Sequence, residues 1–329
     1  MTPRPRIYIT QPVAESAIDR LRAVADVELN PDTLHKVTKG ELLERIPQLD
    51  FLFCLLHDKV DREVIAAGKR LRAIASMKIT PSDIDVAAAT ARKLPVTVIS
   101  PIVTEATADM HFALLLAVAR RVVEGDQLLR SGIFPGAQSA HLLGSYAYGK
   151  TIGLIGGGGR IGKAVAKRAQ GFSMKTIYWT PRRKPESEER EAGLTYVPYD
   201  QLLAESDFVS VHAPLNEGTR HLVGERELRL VKPSAFLVNT ARGPIVDEKA
   251  LVRALKEHRL AGAGLDVYEN EPEVEPELLT MKNVVLTPHL GSAVAELREV
   301  MANVVVDNIL AVLAGKRPPN CCNPEIYNT

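Results

Sequence analysis

Three side chains supply the parts of an acid–base reaction on an anionic molecule: Arg242, Glu271 and His289. Each follows an apolar run in the second half of the chain, in the segments 239–243 (NTARG), 266–272 (DVYENEP) and 287–292 (TPHLGS). An imidazole gives or takes a proton, a carboxylate beside it holds and charges it, and a guanidinium fork grips a carboxylate. Moving a hydride between an alcohol and a carbonyl needs those parts. Each residue alone also suits a duller role: Arg242 pairing a helix-end carboxylate, Glu271 capping the turn before Pro272, His289 a satisfied loop histidine. Their joint placement favours chemistry, because an open parallel sheet binds ligands outside the carboxyl ends of its strands.

A second motif precedes them. Residues 150–162, KTIGLIGGGGRIG, read as a short strand, a glycine turn and the start of a helix. Gly157, Gly159 and Gly162 satisfy G-x-G-x-x-G: the first glycine permits the turn, the second admits a pyrophosphate, and the third lets helix pack on strand. The spacing predicts a dinucleotide site. The following strand, 175–180, runs into Thr180, Pro181, Arg182, Arg183 and Lys184, with no carboxylate to hold a ribose 2′-hydroxyl. A hydroxyl and three cations suit a 2′-phosphate, so NADP(H) is the expected cofactor, with NAD(H) second. The competing reading is a solvated basic turn.

The elements that must carry these groups alternate along the chain. Strands are expected at 6–10, 27–30, 50–56, 72–77 and 96–100, with helices at 15–25, 39–46, 62–68 and 84–93. One long helix is expected over 104–130, its apolar middle (110–123) buried against another domain or subunit. Strands then recur at 151–155, 175–180, 208–213, 235–240, 262–267 and 283–287. Helices fall at 160–172, 200–205 and 247–258, and a last one at 292–313. The alternation predicts an α/β chain with two parallel-sheet, Rossmann-like domains.

Composition narrows the class. With 41 basic and 40 acidic residues the net charge is +1, so no global field favours nucleic acid or membrane. The longest clean apolar run, 112–119, is too short for a bilayer, and residues 1–11 show no secretory h-region. A soluble, cytoplasmic protein is expected. Cys54, Cys321 and Cys322 form neither a disulfide framework nor a spaced metal set, so no metal is expected.

On segments 54–59, 103–109, 150–162, 238–243, 264–272 and 287–292, the chain resembles the D-isomer-specific 2-hydroxyacid dehydrogenases, and among them the glyoxylate/hydroxypyruvate reductases. The resemblance implies that Arg242 binds the substrate carboxylate and carbonyl, that His289 is the acid/base, and that Glu271 is its partner. It implies a cofactor lined by Thr104, Arg160, Ile161, Thr180, His212, Ala213, Pro214, Thr219, Thr240, Ala241, Asp266 and Gly291, beside the glycines. It places Leu56, Lys78, Ile79 and Thr80 by a small 2-keto or 2-hydroxy acid. It also implies a flavodoxin-like substrate domain, 1–101 with 292–329, into which the nucleotide domain 102–291 is inserted, and a homodimer packed through the latter.

The sequence departs from that family's pattern in four places. Thr80 stands where glycine is usual, and both its β-branch and Pro81 resist a left-handed backbone. Lys78 adds a cation, which either meets a second anionic group of the substrate or points to solvent. The glycine turn is one residue longer than usual. Residues 132–141 lack the tryptophans common there, leaving room for a bulkier substrate or for His141. Two other functions fit the same motifs: a dinucleotide-sensing corepressor, and an enzyme that oxidises an inorganic anion such as phosphite.

Overall fold

Apolar runs of four or five residues, separated by amphipathic stretches, build two all-parallel sheets with interleaved helices. The computed structural model describes residues 3–55 and 58–328. The chain divides into two compact units, 1–102 with 293–329, and 103–292.

The first unit begins with strands β1 (Arg6–Ile9), β2 (Asp26–Leu29), β3 (Phe51–Cys54), β4 (Ala73–Ser76) and β5 (Val96–Thr97), in the order β2-β1-β3-β4-β5. That is the flavodoxin-like order. Its helices are α1 (Glu15–Arg22), α2 (Lys39–Arg45), α3 (Arg62–Ala67) and α4 (Val86–Ala91). Thr38, Asp61 and Asp85 start the last three by accepting backbone N–H bonds that the helices leave open. β3 and β4 are buried at every residue, as parallel strands covered on both faces must be.

The second unit opens with α5 (Thr104–Ala119) and α6 (Val122–Arg130). Then alternate β6 (Thr151–Ile155), α7 (Arg160–Gly171), β7 (Lys175–Trp179), α8 (Glu186–Ala192), β8 (Thr195–Tyr196), α9 (Tyr199–Glu205) and β9 (Phe208–Val211). α10 (Glu225–Leu230), β10 (Phe236–Asn239), α11 (Glu248–Lys256), β11 (Gly262–Leu265) and β12 (Val284–Leu286) follow. The strand order is β12-β11-β10-β9-β6-β7-β8, which reverses direction at β6, the strand that feeds the glycine turn. Side chains alternate between two cores: Ile155, Val209, Val211 and Leu237 enter one, Leu154, Phe208 and Val238 the other. α5 lies against β11, where Gly264 leaves room; a Cβ there would approach Leu114 Cβ at 3.0 Å.

Several expectations are corrected. The single helix over 104–130 is two helices, because Arg121 turns left-handed (φ 53°) and pairs its guanidinium with Glu124 of the next turn. Ser145 N closes the end of α5 on Ala119 O at 2.8 Å. The strand expected over 96–100 stops at Thr97, since Val98 N and Ile99 N bond Asn320 O and Lys78 O instead. The polar α8, the short α10 and the two-residue β8 lack a periodic apolar signal and are absent from the sequence expectations.

Residues 293–329 return to the first unit with α12 (Ala295–Leu313) and a tail. Buried Asn323 accepts from Val96 N (2.9 Å) and donates to Leu94 O (2.9 Å) and Thr90 Oγ1 (3.0 Å), tying the tail to the edge strand β5. Asn323→Leu strands these groups in a dry site and should cost about 1–3 kcal/mol. A urea midpoint equal to that of the unsubstituted protein would refute the tie.

Candidate active site

The glycine turn has little slack. Gly156 is left-handed (φ 83°), and a Cβ on it would lie 2.6 Å from Ala213 N and 2.7 Å from His212 C. A Cβ on Gly162 would lie 2.5 Å from Gly157 Cα, so the first turn of α7 rests directly on the turn backbone. Gly159 caps α7 in an extended conformation and faces more open space, its nearest neighbour 3.4 Å away. A helix N-terminus approached by bare backbone is what a pyrophosphate requires, so the turn fits a dinucleotide. Arg160 and Ile161 open α7, Arg160 exposed.

Beyond β7, the Thr180 hydroxyl donates to Arg182 O at 2.8 Å. Arg183 is held: its Nε and Nη2 each donate to Glu189 at 2.8 Å. The Tyr178 hydroxyl donates to the same carboxylate at 2.7 Å and accepts from Lys184 N at 2.9 Å. Arg183 and then Tyr178 hold the Glu189 carboxyl down to about 2. Arg182 is exposed and forms no ion pair among the described residues. The Lys184 stem lies over the turn, where a Cβ on Gly158 would come within 2.8 Å of its Cγ and Cε.

The three chemical side chains come from loops after β10, β11 and β12. Buried Asn239 ends β10 and clamps the next turn, accepting from Ala241 N and donating to Arg242 O, both at 3.0 Å. Arg242 is exposed, with Nη1 donating to Ala241 O at 2.6 Å. At Gly243 any Cβ would fall 1.9 Å from the Tyr268 carbonyl, so this turn packs backbone to backbone on the loop bearing Glu271. Glu271 accepts from Tyr268 N on Oε1 (3.1 Å) and meets His289 Nδ1 with Oε2 (2.8 Å). Glu271 and His289 keep side-chain exposures of 21% and 26%, so both remain reachable from solvent.

His289 is left-handed (φ 56°), a conformation that persists only where neighbours impose it. Buried Asp266 imposes it, taking Thr287 Oγ1 (2.6 Å) and Leu290 N (2.7 Å) on one oxygen and Gly291 N (2.7 Å) on the other. His289 N adds a bond to Asp266 O at 2.9 Å. The Tyr268 hydroxyl donates to Thr287 O (2.9 Å), and burial raises that phenol to about 12. Glu248, also buried, accepts from Glu269 N at 2.6 Å. Sequence reading missed Asn239, Tyr268 and Glu248, which hold backbone groups of the loops that carry the site.

The other expected residues are distributed as follows. Thr219 commits its hydroxyl to its own loop, donating to Pro214 O at 2.6 Å. Thr104 begins α5, and Ala213 and Thr240 are buried at strand ends. Lys78, Ile79 and Thr80 belong to the first unit. Lys78 does not point to solvent: its side chain is 13% exposed and paired with Asp83. Thr80 stays out of the left-handed region, as its β-branch requires. Leu56 lies outside the described residues.

Two residues absent from the sequence expectations, His111 and Ser210, join the expected His212 and Thr240 in one cluster. His111 of α5 is fully buried, its Nε2 2.8 Å from Ser210 Oγ and its Nδ1 3.5 Å from Thr240 Oγ1. Ser210 Oγ also meets His212 Nε2 at 2.6 Å. Burial pushes both imidazoles toward the neutral form, His212 down to about 3. Free imidazole titrates near ~6.5, so stability is whole above that pH and is lost as pH falls toward 3. The unfolding temperature should therefore fall along this acid limb, and His212→Asn should make the fall shallower. An identical limb in that variant would contradict a neutral His212.

Comparison with known proteins gives the family. A model of the D-isomer specific 2-hydroxyacid dehydrogenase NAD binding domain fits residues 112–291. The chain is 46% identical over 330 residues to "Glyoxylate reductase" of Thermococcus litoralis, covering 99% of each chain. Among solved structures, the TT0316 protein of Thermus thermophilus superposes with a TM-score of 0.88 at 42% identity, covering 96% of this chain and 99% of that one. A glyoxylate reductase from Paecilomyes thermophila gives 0.81 at 32%, covering 99% and 100%. With a dinucleotide turn at the sheet's switch point and full-length kinship of this degree, the chain belongs to the D-isomer-specific 2-hydroxyacid dehydrogenases and is an NAD(P)-dependent oxidoreductase.

Proposed function

We propose that the protein is an NADPH-preferring reductase of small 2-keto acids of the glyoxylate or hydroxypyruvate type. The observation that carries this is the 2.8 Å contact between His289 Nδ1 and Glu271, which aims Nε2 away from the carboxylate. The glyoxylate reductase names of its full-length relatives support the substrate class. In this reading 1–101 with 292–329 is the substrate domain and 102–291 the nucleotide domain. A reduced nicotinamide dinucleotide, held by the glycine turn and the cations after β7, would supply the hydride for the keto carbon when bound. His289 Nε2 gives its proton to the carbonyl oxygen, the product is the 2-hydroxy acid, and the neutral imidazole is recharged from water. Glu271 fixes the tautomer and orientation of the ring, as a carboxylate does for other catalytic histidines. The Arg242 fork takes the substrate carboxylate. Asp83 balances Lys78, which favours a substrate with a single anionic group.

His289→Ala should lower kcat by the ~10²–10⁴ typical of a missing acid/base. Glu271→Gln should lower kcat while leaving the KM of the keto acid nearly unchanged, because Glu271 touches the histidine and not the substrate. Steady-state rates with glyoxylate and hydroxypyruvate decide it. A Glu271→Gln enzyme at full kcat removes the pairing from the mechanism.

NADPH preference is supported by the cations after β7. Two donors of Arg183 are taken by Glu189, so Arg182, the Lys184 ammonium and the remaining Arg183 N–H groups, on Nη1 and Nη2, are the groups left for a 2′-phosphate. Arg182→Ala should cut the NADPH-to-NADH ratio of kcat/KM about tenfold, ~1.4 kcal/mol. The preference is refuted if the unsubstituted enzyme uses both cofactors equally. A homodimer also fits: Ile133, Phe134, Leu143, Tyr146 and Tyr148 expose large apolar surfaces along 131–149, which a second copy would cover.

A further inference from the structure

We infer that His111 is a positioning residue for dinucleotide binding, acting through Ser210 and Thr240 on the two strand-end turns 212–214 and 240–242. The inference rests on the nicotinamide reading of the glycine turn.

The buried face of α5 is otherwise nearly all apolar: Ala108, Phe112, Leu114, Leu115 and Val118. An imidazole with no exposed surface is unfavourable there unless both ring nitrogens find partners. Its partners are hydroxyls at the ends of neighbouring strands, Ser210 near the end of β9 and Thr240 just past β10. Ser210 Oγ has one proton and two imidazole neighbours, so it can donate to at most one of the rings. At least one of the two Nε2 atoms that keep these bonds therefore carries a proton. The shared hydroxyl holds His111, Ser210 and His212 as one hydrogen-bonded chain, with the two rings 4.9 Å apart.

The chain bears on the cofactor turn by contact. His212 C and Ala213 N occupy the space beside Gly156 so closely that no Cβ fits between them. A shift of the His212 backbone therefore moves Gly156, and Gly156 leads into Gly157, on which the first turn of α7 rests. At the other arm Thr240 begins the turn that Asn239 clamps and that carries Arg242. His111 thus sets the spacing of two turns on either side of the β9–β10 pair while lying wholly inside the unit.

The test is a fluorescence titration of NADPH on the full-length protein, with unfolding temperature and steady-state kinetics measured in parallel. His111→Leu fills the volume but bonds neither hydroxyl. It should raise the Kd for NADPH about tenfold while kcat at saturating NADPH changes less than twofold. His111→Gln returns an amide to the Nε2 position and should recover most of the affinity. If His111→Leu unfolds at a lower temperature yet binds NADPH with the unsubstituted Kd, His111 is only a packing residue and the inference is overturned. Should His111→Leu fail to fold, Ser210→Ala is read in the same way, since it removes the shared hydroxyl. An unsubstituted protein that binds neither NADPH nor NADH overturns the nicotinamide reading itself, and the inference with it.

Discussion

A carboxylate taken out of water must find hydrogen bonds to replace those it loses, and Asp266 receives three, all from the loop that follows β12. That requirement is what bends His289 into a left-handed backbone. A histidine would not choose this conformation alone, and turning it there points the ring back toward Glu271. Tyr268 reinforces the arrangement from beneath, with its amide on Glu271 and its hydroxyl on Thr287. The loops after β11 and β12 are tied into one piece because the buried groups between them are mutually satisfied. Gly243 extends that piece to the Arg242 turn by an approach that only hydrogen permits.

The same logic of satisfied partners separates the cations after β7. A string of arginines and lysine reads as uniform charge in sequence, yet the fold treats its members differently. Arg183 is a structural member, locked to Glu189 and resting over the Tyr196 ring. Arg182 and Lys184 keep their charge for the surroundings. Sequence could not make this distinction, because Glu189 belongs to a helix, α8, that is polar on every side and gives no periodic signal.

What is legible in the sequence follows from short-range pattern. Apolar runs announce the parallel strands, and the α/β class with two Rossmann-like sheets is the architecture found. Glu271 and His289, 18 residues apart, read as partners from their places at strand ends, and their side chains are in contact. What escapes depends on partners far along the chain. His111 looks like an intruder in an apolar helix, and its hydroxyl partners lie 99 and 129 residues away. The break at Arg121 is hidden because the left-handed residue is an arginine, a type with no special liking for that region. Lys78 carries no sign that Asp83 would reach it.

The tie between Asn323 and the edge of the first sheet has a consequence for how the chain is made. The amide that completes β5 is contributed 227 residues later than Val96, the residue it holds. A ribosome delivers the whole second unit, with its own seven strands, before that amide exists. During synthesis the first sheet therefore waits with an open border, while the inserted unit already has every strand it needs. An exposed strand border is a template for pairing with other chains. The interval between emergence of β5 and arrival of the tail is thus when the nascent protein is most prone to wrong partners.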